Sequence, residues 1–398
     1  MKITCVGGGP AGLYTAVLLR LADPAHEVTV VERNPAGVTH GWGVVFWQEL
    51  LEALRAGDPT TAEQIADAAF AWSGQDVDVE GSGRVSRPSG GYGIGRRHLL
   101  DILAERARGL GVRLAFEHEV GPGARPDADL VVAADGAGSA FRRAGDFGAS
   151  VEVGANQYVW LGTTRVVDPF LFAFVRSPAG WLWCHAYGYD EGHSTFIVEC
   201  PPATWRGLGL DRLDAAASLA LLERLFARHL DGHPLISPGG DPDAPLPWLA
   251  FRTVHCARWS DGDVVLVGDA AHTTHFAIGS GTTLALEDAI ALVRALGEEP
   301  DTAAALARYE RERRAALAPR RRDAAHSARW LEDVERYIDL DLPVFEAVLH
   351  RRRSAIVPRV PPRLYVRARA VAERHGIARV LWDQAAVARR LLAGRDGA

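Results

Sequence analysis

The chain opens on a short apolar run, Ile3-Thr4-Cys5-Val6, continues through Leu13, Val17 and Leu18 at helical spacing, and reaches a second run, Val28-Thr29-Val30-Val31-Glu32. Short unbroken apolar runs flanking an amphipathic stretch suit parallel strands buried on both faces, with the helix over 10–21 crossing between them. The same alternation returns as a helix over 48–70 broken at Asp58-Pro59, a helix over 99–110, and strands over 112–116 and 130–134. A glycine-rich loop is expected at 37–46, and the short alternating stretches of 73–95 suit strands of a different sheet. From 151 to 251 the apolar period changes to two: 158–163, 171–175, 181–187 and 194–200 read as neighbouring strands of a largely antiparallel sheet, followed by a helix near 213–230. A buried strand over 263–269 and a helix over 281–296 then restore the first pattern. Residues 301–398 have helical spacing, interrupted at Val357-Pro358 and Pro361-Pro362.

The turn after the first run is Gly7-Gly8-Gly9-Pro10-Ala11-Gly12, a GxGxxG placed between strand and helix, and Glu32 closes the second strand twenty residues beyond Gly12. Gly7 permits the tight turn, Gly9 lets a pyrophosphate approach the backbone, and Gly12 lets the helix pack on the sheet. The helix N-terminus, at Pro10 and Ala11, offers free N–H groups and a positive dipole end to phosphate. Glu32 suits a ribose diol, with Arg33 beside it as a further cofactor-binding candidate. The fold class expected is α/β (α+β): a Rossmann-like βαβ domain, in three parts (1–72, 96–150 and 252–300), interrupted by a mixed or antiparallel substrate-binding sheet (73–95 and 151–251) and followed by a helical C-terminal region (301–398).

With 398 residues, 48 % of them hydrophobic, the chain can bury a large core, and a net charge of −6 argues against nucleic acid or an anionic membrane as partner. Cys5, Cys184, Cys200 and Cys256 form no CxxC pair, no stretch approaches the length of a membrane span, and no metal site is expected. With the first strand starting at residue 2 there is no room for a leader, so a cytoplasmic location is expected. Lys2 is the one lysine, which nearly excludes Schiff-base chemistry.

Three further segments extend the pattern begun by the phosphate-binding turn. Arg97, Leu100 and Leu103 form R-x-x-L-x-x-L at a helix start; Asp135-Gly136 ends a strand; Gly268-Asp269-Ala270-Ala271-His272 ends another, before Gly279-Ser280-Gly281-Thr282 opens a helix. Alone, each has a plainer reading: surface residue, simple turn, helix cap. Together, and in this order, they make the chain resemble the single-component FAD-dependent aromatic hydroxylases (group A flavoprotein monooxygenases) over essentially its whole length. The resemblance implies that Arg97 reaches the FAD pyrophosphate, Asp135-Gly136 lies near the cofactor and the nicotinamide donor, and Asp269 binds the ribityl chain. It implies NAD(P)H and O2 as co-substrates and an oxygen atom transferred to an electron-rich aromatic ring. Gly279, Gly281 and Thr282 would meet the flavin at the helix N-terminus.

Phe276 and Thr283 stand where the family usually has proline and asparagine. With GWGVVF at 41–46, NQYVWLGTT and HSTFIVEC, this is similar to the branch of salicylyl-CoA hydroxylase and the tryptophan hydroxylase of violacein synthesis. The resemblance therefore implies an aromatic acyl-CoA thioester as substrate, with an indole or tryptophan-derived compound as the alternative. Trp181, Trp183, His185 and Tyr187 share one strand face, which either lines the pocket or packs the outer layer. His275, Phe276 and His185 are the catalytic candidates; for either histidine a structural role is the competing reading. Arg351, Arg352, Arg353, Arg359 and Arg363 would suit coenzyme A phosphates or simply form a solvated face. Halogenases share the FAD half, but here Trp181-Leu182-Trp183 continues as Cys-His-Ala and the essential lysine is missing.

Overall fold

In a computed structural model, the chain is described over residues 1–364 and Arg367, apart from His40, Arg125, Pro238, Gly240, Asp241, Pro242, Ser280 and 355–358. Ser280 and most of 365–398, to which sequence expectations applied, lie outside the described residues.

The chain runs β1 (Lys2–Val6), α1 (Pro10–Ala22), β2 (Glu27–Val31), β3 (Gly43–Phe46), α2 (Gln48–Gly57), α3 (Pro59–Ala68), β4 (Phe70–Val79), β5 (Gly83–Gly95), α4 (Arg96–Gly109), β6 (Arg113–Ala115), β7 (Leu130–Ala133), α5 (Ala140–Ala144) and β8 (Ala149–Thr163). It continues through β9 (Phe170–Ser177), β10 (Gly180–Gly188), β11 (Ser194–Cys200), α6 (Pro202–Gly207), α7 (Ala215–Leu225), α8 (Ala227–Leu230), β12 (Leu235–Ile236), β13 (Leu249–Cys256), β14 (Ser260–Asp261), β15 (Val264–Leu266), α9 (Gly281–Glu298), α10 (Thr302–Glu332) and α11 (Leu342–His350).

Two sheets organise these elements. The first has six strands in the order β14-β15-β7-β1-β2-β6, parallel except for the β14–β15 hairpin. Ile3, Cys5, Leu130, Val131, Val132, Val265 and Leu266 are fully buried under α1, α4, α9 and α10, which is why the apolar runs at its centre do not alternate. The second sheet has nine strands in the order β12-β8-β11-β10-β9-β4-β5-β3, with β13 added to β8. Here the period of two separates the faces. Leu182, Cys184 and Ala186 pack with Leu222, Phe226 and Leu230 of the α7–α8 segment, while Trp183 packs with Phe174 and with Trp330, Phe345 and Leu349 of α10 and α11.

The expected interruption of one sheet by another is therefore present, with shifted boundaries. Residues 43–46 are not loop but strand, paired with β5, so the second sheet begins inside 1–72. It also extends beyond 251, through β13. The helix expected over 213–230 is two, because Phe226 breaks from helical backbone, and the strand expected over 263–269 stops at Leu266 before a single turn at Gly268–Ala270. Gly268 has φ +59, a left-handed conformation that ends extended backbone. All four cysteines are free and buried, and no described helix is long and apolar enough to cross a membrane.

Candidate active site

The strand-to-helix turn after β1 is built for close approach. Gly7 has φ +111, and a Cβ there would lie 2.3 Å from the Ala134 carbonyl oxygen. A Cβ on Gly12 would lie 2.0 Å from the Gly7 carbonyl oxygen, so α1 rests directly on the turn. Around Gly9, in contrast, no atom lies within 4 Å of the Cβ position. That open face, at the N-terminus of α1, borders a cavity of about 950 Å3 lined also by Pro10 and Ala11. Glu32 turns its carboxylate to the turn, accepting from the Gly8 amide at 2.7 Å and from the Asn34 side chain at 2.7 Å. Arg33, next along the chain, is exposed and does not line the cavity.

From Gly9 the cavity runs past Ala134, Gly136, Val267 and Asp269 to Gly279, Gly281, Thr282 and Thr283 at the start of α9. Asp135 accepts from the Ala140 amide at 2.7 Å through Oδ2, while its buried Oδ1 has no partner. Thr283 Oγ1 is likewise buried and unpartnered. Asp269 faces the cavity, whose walls push its carboxyl pKa up while His272 and Arg96 oppose the shift. Gly279, at φ +62, leaves no room for a side chain against Trp47 and Val45. His272 and Asp288 fix this segment from behind: Asp288 Oδ2 receives the Gly268 amide at 2.9 Å and lies 2.8 Å from His272 Nε2, and its Oδ1 receives Arg313 Nε at 2.7 Å.

The two adjacent arginines at the start of α4 diverge. Arg97 is exposed, 3.8 Å from Asp101, with its guanidinium beside Gly37 and outside the cavity lining. Arg96 lines the cavity, donates to Thr39 Oγ1 at 3.1 Å, and faces Asp269. Burial lowers its pKa and the Asp269 charge raises it. Arg96, not Arg97, is thus the guanidinium placed for a phosphate in this cavity, and it falls in an equally good R-x-x-L frame with Leu99.

Beyond α9 the walls become aromatic. Trp72, Tyr158, Trp160, Phe170, Phe172, Tyr187 and Phe276 line this end together with His185. On β10, His185 and Tyr187 reach the cavity, whereas Trp183 is wholly buried with its indole N–H on Glu199 at 3.0 Å, and Trp181 lies under Arg176. Phe276 packs on Tyr158 at 4.7 Å and edge-on to His185 at 5.6 Å. His275 is placed otherwise. It is absent from the lining, its Nδ1 accepts the Ala277 amide at 3.2 Å, and burial pushes its pKa down to about 4. This is a capping histidine.

Glu199, unmarked in the sequence beyond its place near the end of an apolar strand, is 1 % exposed and lies behind His185. Asn156 Nδ2 donates to it at 2.8 Å, and His185 Nε2 lies 3.5 Å away. Burial opposes its charge, yet His185, His275 and Asn156 hold its carboxyl below the usual range. Of the C-terminal arginines, Arg352 is buried and committed inward, to Ser327 Oγ at 3.0 Å, the Leu349 carbonyl at 3.0 Å and the Ala277 carbonyl at 2.8 Å. Arg352 and Arg353 both line the cavity, with Arg320, whereas Arg359 and Arg363 are exposed and outside it. Among the described residues no cluster of metal-ligating side chains occurs.

An open glycine at a helix N-terminus, an arginine and a carboxylate along one channel, two orphaned polar atoms and an aromatic terminus fit FAD with its ring system at the α9 end. The FAD binding domain family is matched over residues 245–320. A salicyloyl-CoA 5-hydroxylase of a Streptomyces species is 39 % identical over 94 % of this chain and 73 % of its own length. A 3-hydroxy-4-methyl-anthranilyl-[aryl-carrier protein] 5-monooxygenase of Streptosporangium sibiricum is 38 % identical over 85 % of this chain and 93 % of its own. Among solved structures, 2-methyl-3-hydroxypyridine-5-carboxylic acid oxygenase shares the fold, with a TM-score of 0.68 at 21 % identity, covering 90 % of this chain and 97 % of that one. The chain belongs to the FAD-dependent aromatic hydroxylases. It is a flavoprotein monooxygenase that uses NAD(P)H and O2 to hydroxylate an aromatic ring.

Proposed function

We propose that the substrate is an aromatic acid presented as its coenzyme A thioester, with salicyloyl-CoA as the leading case. The observation that carries this reading is the shape of the cavity: an aromatic end suited to a planar ring, continuous with a rim bearing Arg320, Arg353 and His350. A ring held between Phe172, Tyr187 and Phe276 would leave its acyl arm to extend toward that cationic rim, where phosphates are stabilised. The names of two relatives, one acting on a CoA thioester and one on a carrier-protein-bound acid, agree with a substrate carried on such an arm.

FAD, when bound, supplies the electron and oxygen chemistry. The protein supplies placement. Gly9, Pro10, Ala11 and Gly12, with Glu32 at the ribose, Arg96 at the phosphates and Asp135-Gly136 and Asp269 along the chain, hold the cofactor. Gly279, Gly281 and Thr282 meet its ring end at the positive terminus of α9. The aromatic walls orient the substrate and exclude water from the reacting centre. Arg33 and Arg97, both exposed and outside the cavity lining, have no place in this arrangement.

Ligand-stimulated NADH consumption by the holoenzyme, compared for salicyloyl-CoA, salicylate and tryptophan, tests the reading. Stimulation by the thioester well above the other two is expected. Equal stimulation by salicylate would remove coenzyme A from the recognition, and stimulation by tryptophan alone would replace the substrate class.

A further inference from the structure

His185 sits where a proton acceptor would be most useful. Its ring lies at the aromatic end of the cavity, edge-on to Phe172 at 4.8 Å and to Phe276 at 5.6 Å, so any planar ring entering that space meets it. It is 3 % exposed, and its buried Nε2 has no hydrogen-bond partner, although Glu199 Oε2 is 3.5 Å away. Glu199 itself is held still by Trp183 Nε1 at 3.0 Å and Asn156 Nδ2 at 2.8 Å. A buried imidazole at ion-pair distance from a fixed carboxylate, and short of a hydrogen bond to it, is a pair in which protonation of the ring brings the two together.

We propose that His185, oriented by Glu199, is the side chain that takes the proton of the ring hydroxyl on the bound substrate. The inference rests on the reading above that a hydroxylated aromatic ring occupies this end, and adds which side chain takes its proton and which one holds that side chain. The step is a proton transfer: the phenol O–H bond breaks, an N–H bond forms at His185 Nδ1, and the resulting imidazolium donates from Nε2 to Glu199. The phenolate left behind is the more electron-rich ring, the form better suited to accept an electrophilic oxygen. His185 is the catalytic residue and Glu199 the positioning one.

The charged surroundings agree with this assignment. Facing His185 are Glu199 from β11, Arg352 from beyond α11 and His275 from the segment before α9. Burial and Arg352 keep the imidazole neutral and free to accept, against the pull of Glu199. Glu199 is held ionised, so the positive charge formed on transfer has its counterion in place.

The test reads the ligand rather than turnover. Salicyloyl-CoA bound to oxidised holoenzyme is titrated with pH, following the long-wavelength absorbance that appears when a phenol ionises; benzoyl-CoA, lacking the hydroxyl, is the control. The wild-type complex is expected to ionise its ligand well below the pH at which the free ligand ionises, and the His185→Gln complex to show the free-ligand value. Glu199→Gln, close in shape and able to accept from Trp183 while its NH2 donates to an Asn156 amide turned over, is expected to move the midpoint up by about one pH unit, because the imidazolium loses its counterion. A wild-type complex whose phenol stays protonated, or a His185→Gln complex that ionises at the wild-type midpoint, overturns the proposal. If neither thioester binds, the substrate reading fails instead, and the same titration with 4-nitrophenol decides the proposal by the same criterion.

Discussion

Gly9 and Gly12 are three residues apart in one motif, yet they answer different needs. A methyl group on Gly12 would lie 2.0 Å from the Gly7 carbonyl oxygen, an overlap that forces α1 off the sheet. Gly12→Ala is therefore expected to lower stability by about 3 kcal/mol or more, as a depressed midpoint in urea. At Gly9 the backbone is extended, φ −77, and the Cβ position is open. Gly9→Ala should melt like the wild type while binding FAD more weakly, since the methyl group projects into the space left for the pyrophosphate. Equal FAD affinity in Gly9→Ala and wild type, by fluorescence titration, would place the pyrophosphate elsewhere. The glycine spacing was legible because it is a requirement on backbone, which the sequence states directly. The arginine was not legible to the residue. Successive positions on a helix differ by about 100° in direction, so of Arg96-Arg97 one faces the cavity and the other faces water, and two overlapping R-x-x-L frames fit the same pair. Arg96→Ala is expected to weaken FAD binding roughly 10- to 100-fold, the value of a charge-assisted contact, with Arg97→Ala changing it far less; the reverse order would restore the sequence reading.

Between elements, the strongest coupling is the buried carboxylate that joins the β15 turn to α9 and α10. Asp288 is fully buried, and its two oxygens serve the Gly268 amide, His272 and Arg313. Burial alone would raise its pKa, but His272 and Arg313 outweigh it and hold the carboxyl below the usual range. Removing that charge leaves the buried Arg313 with Glu287, at 3.1 Å, as its remaining carboxylate, and takes the partner from His272 and the Gly268 amide, so Asp288→Asn should unfold at lower urea concentration than wild type. The pH dependence has a definite sign. A carboxyl depressed in the folded state contributes its full stability above its unfolded pKa, near ~4, and loses it as pH falls toward the folded value. The stability gap between wild type and Asp288→Asn should be constant above about pH 5 and close progressively in more acid solution; a gap unchanged down to pH 3 would mean the charge is not what the network uses. None of this geometry could be read in advance, because Asp288 sits in a helix whose acidic residues look like ordinary solvent-facing ones. Glu199 was hidden for the converse reason: in a strand of unbroken apolar residues an acid at the end reads as the point where the strand leaves the core, whereas here the strand ends inside it.

On the scale of the molecule, the cavity belongs to neither sheet. One end is supplied by the parallel sheet and α9, the other by the nine-stranded sheet, and the C-terminal helices close the side. Arg352 makes that closure specific, linking α10 at Ser327 and α11 at Leu349 to the Ala277 carbonyl beside Phe276. Burial and the neighbouring Arg353 push its pKa down to about 9, and it remains cationic at neutral pH. Three of its N–H groups are held by the protein and its guanidinium lies over the Phe172 ring at 5.1 Å, so it lines the aromatic end, while Arg353 is exposed at the rim. Arg352→Met should leave the Ala277 carbonyl without its side-chain partner, costing about 1–3 kcal/mol, and should make the chain between α9 and α11 more sensitive to limited proteolysis; unaltered protection would show that the helices hold without it. The assembly of two sheets was legible in the change of apolar period, but the pairing of helices with cavity was not, since an arginine-rich helix gives no sign of which of its cations turn inward.

Lys2 stands at the start of β1, beside Asp127, half-exposed and without any place in the cavity lining. Because it is the only ε-amine in the sequence, a dye or surface linker directed at amines attaches on this side chain or on the adjoining α-amine of Met1, both at one place outside the reaction chamber. Energy transfer from such a label to the flavin would then report one fixed distance, free of the averaging that a lysine-rich enzyme imposes.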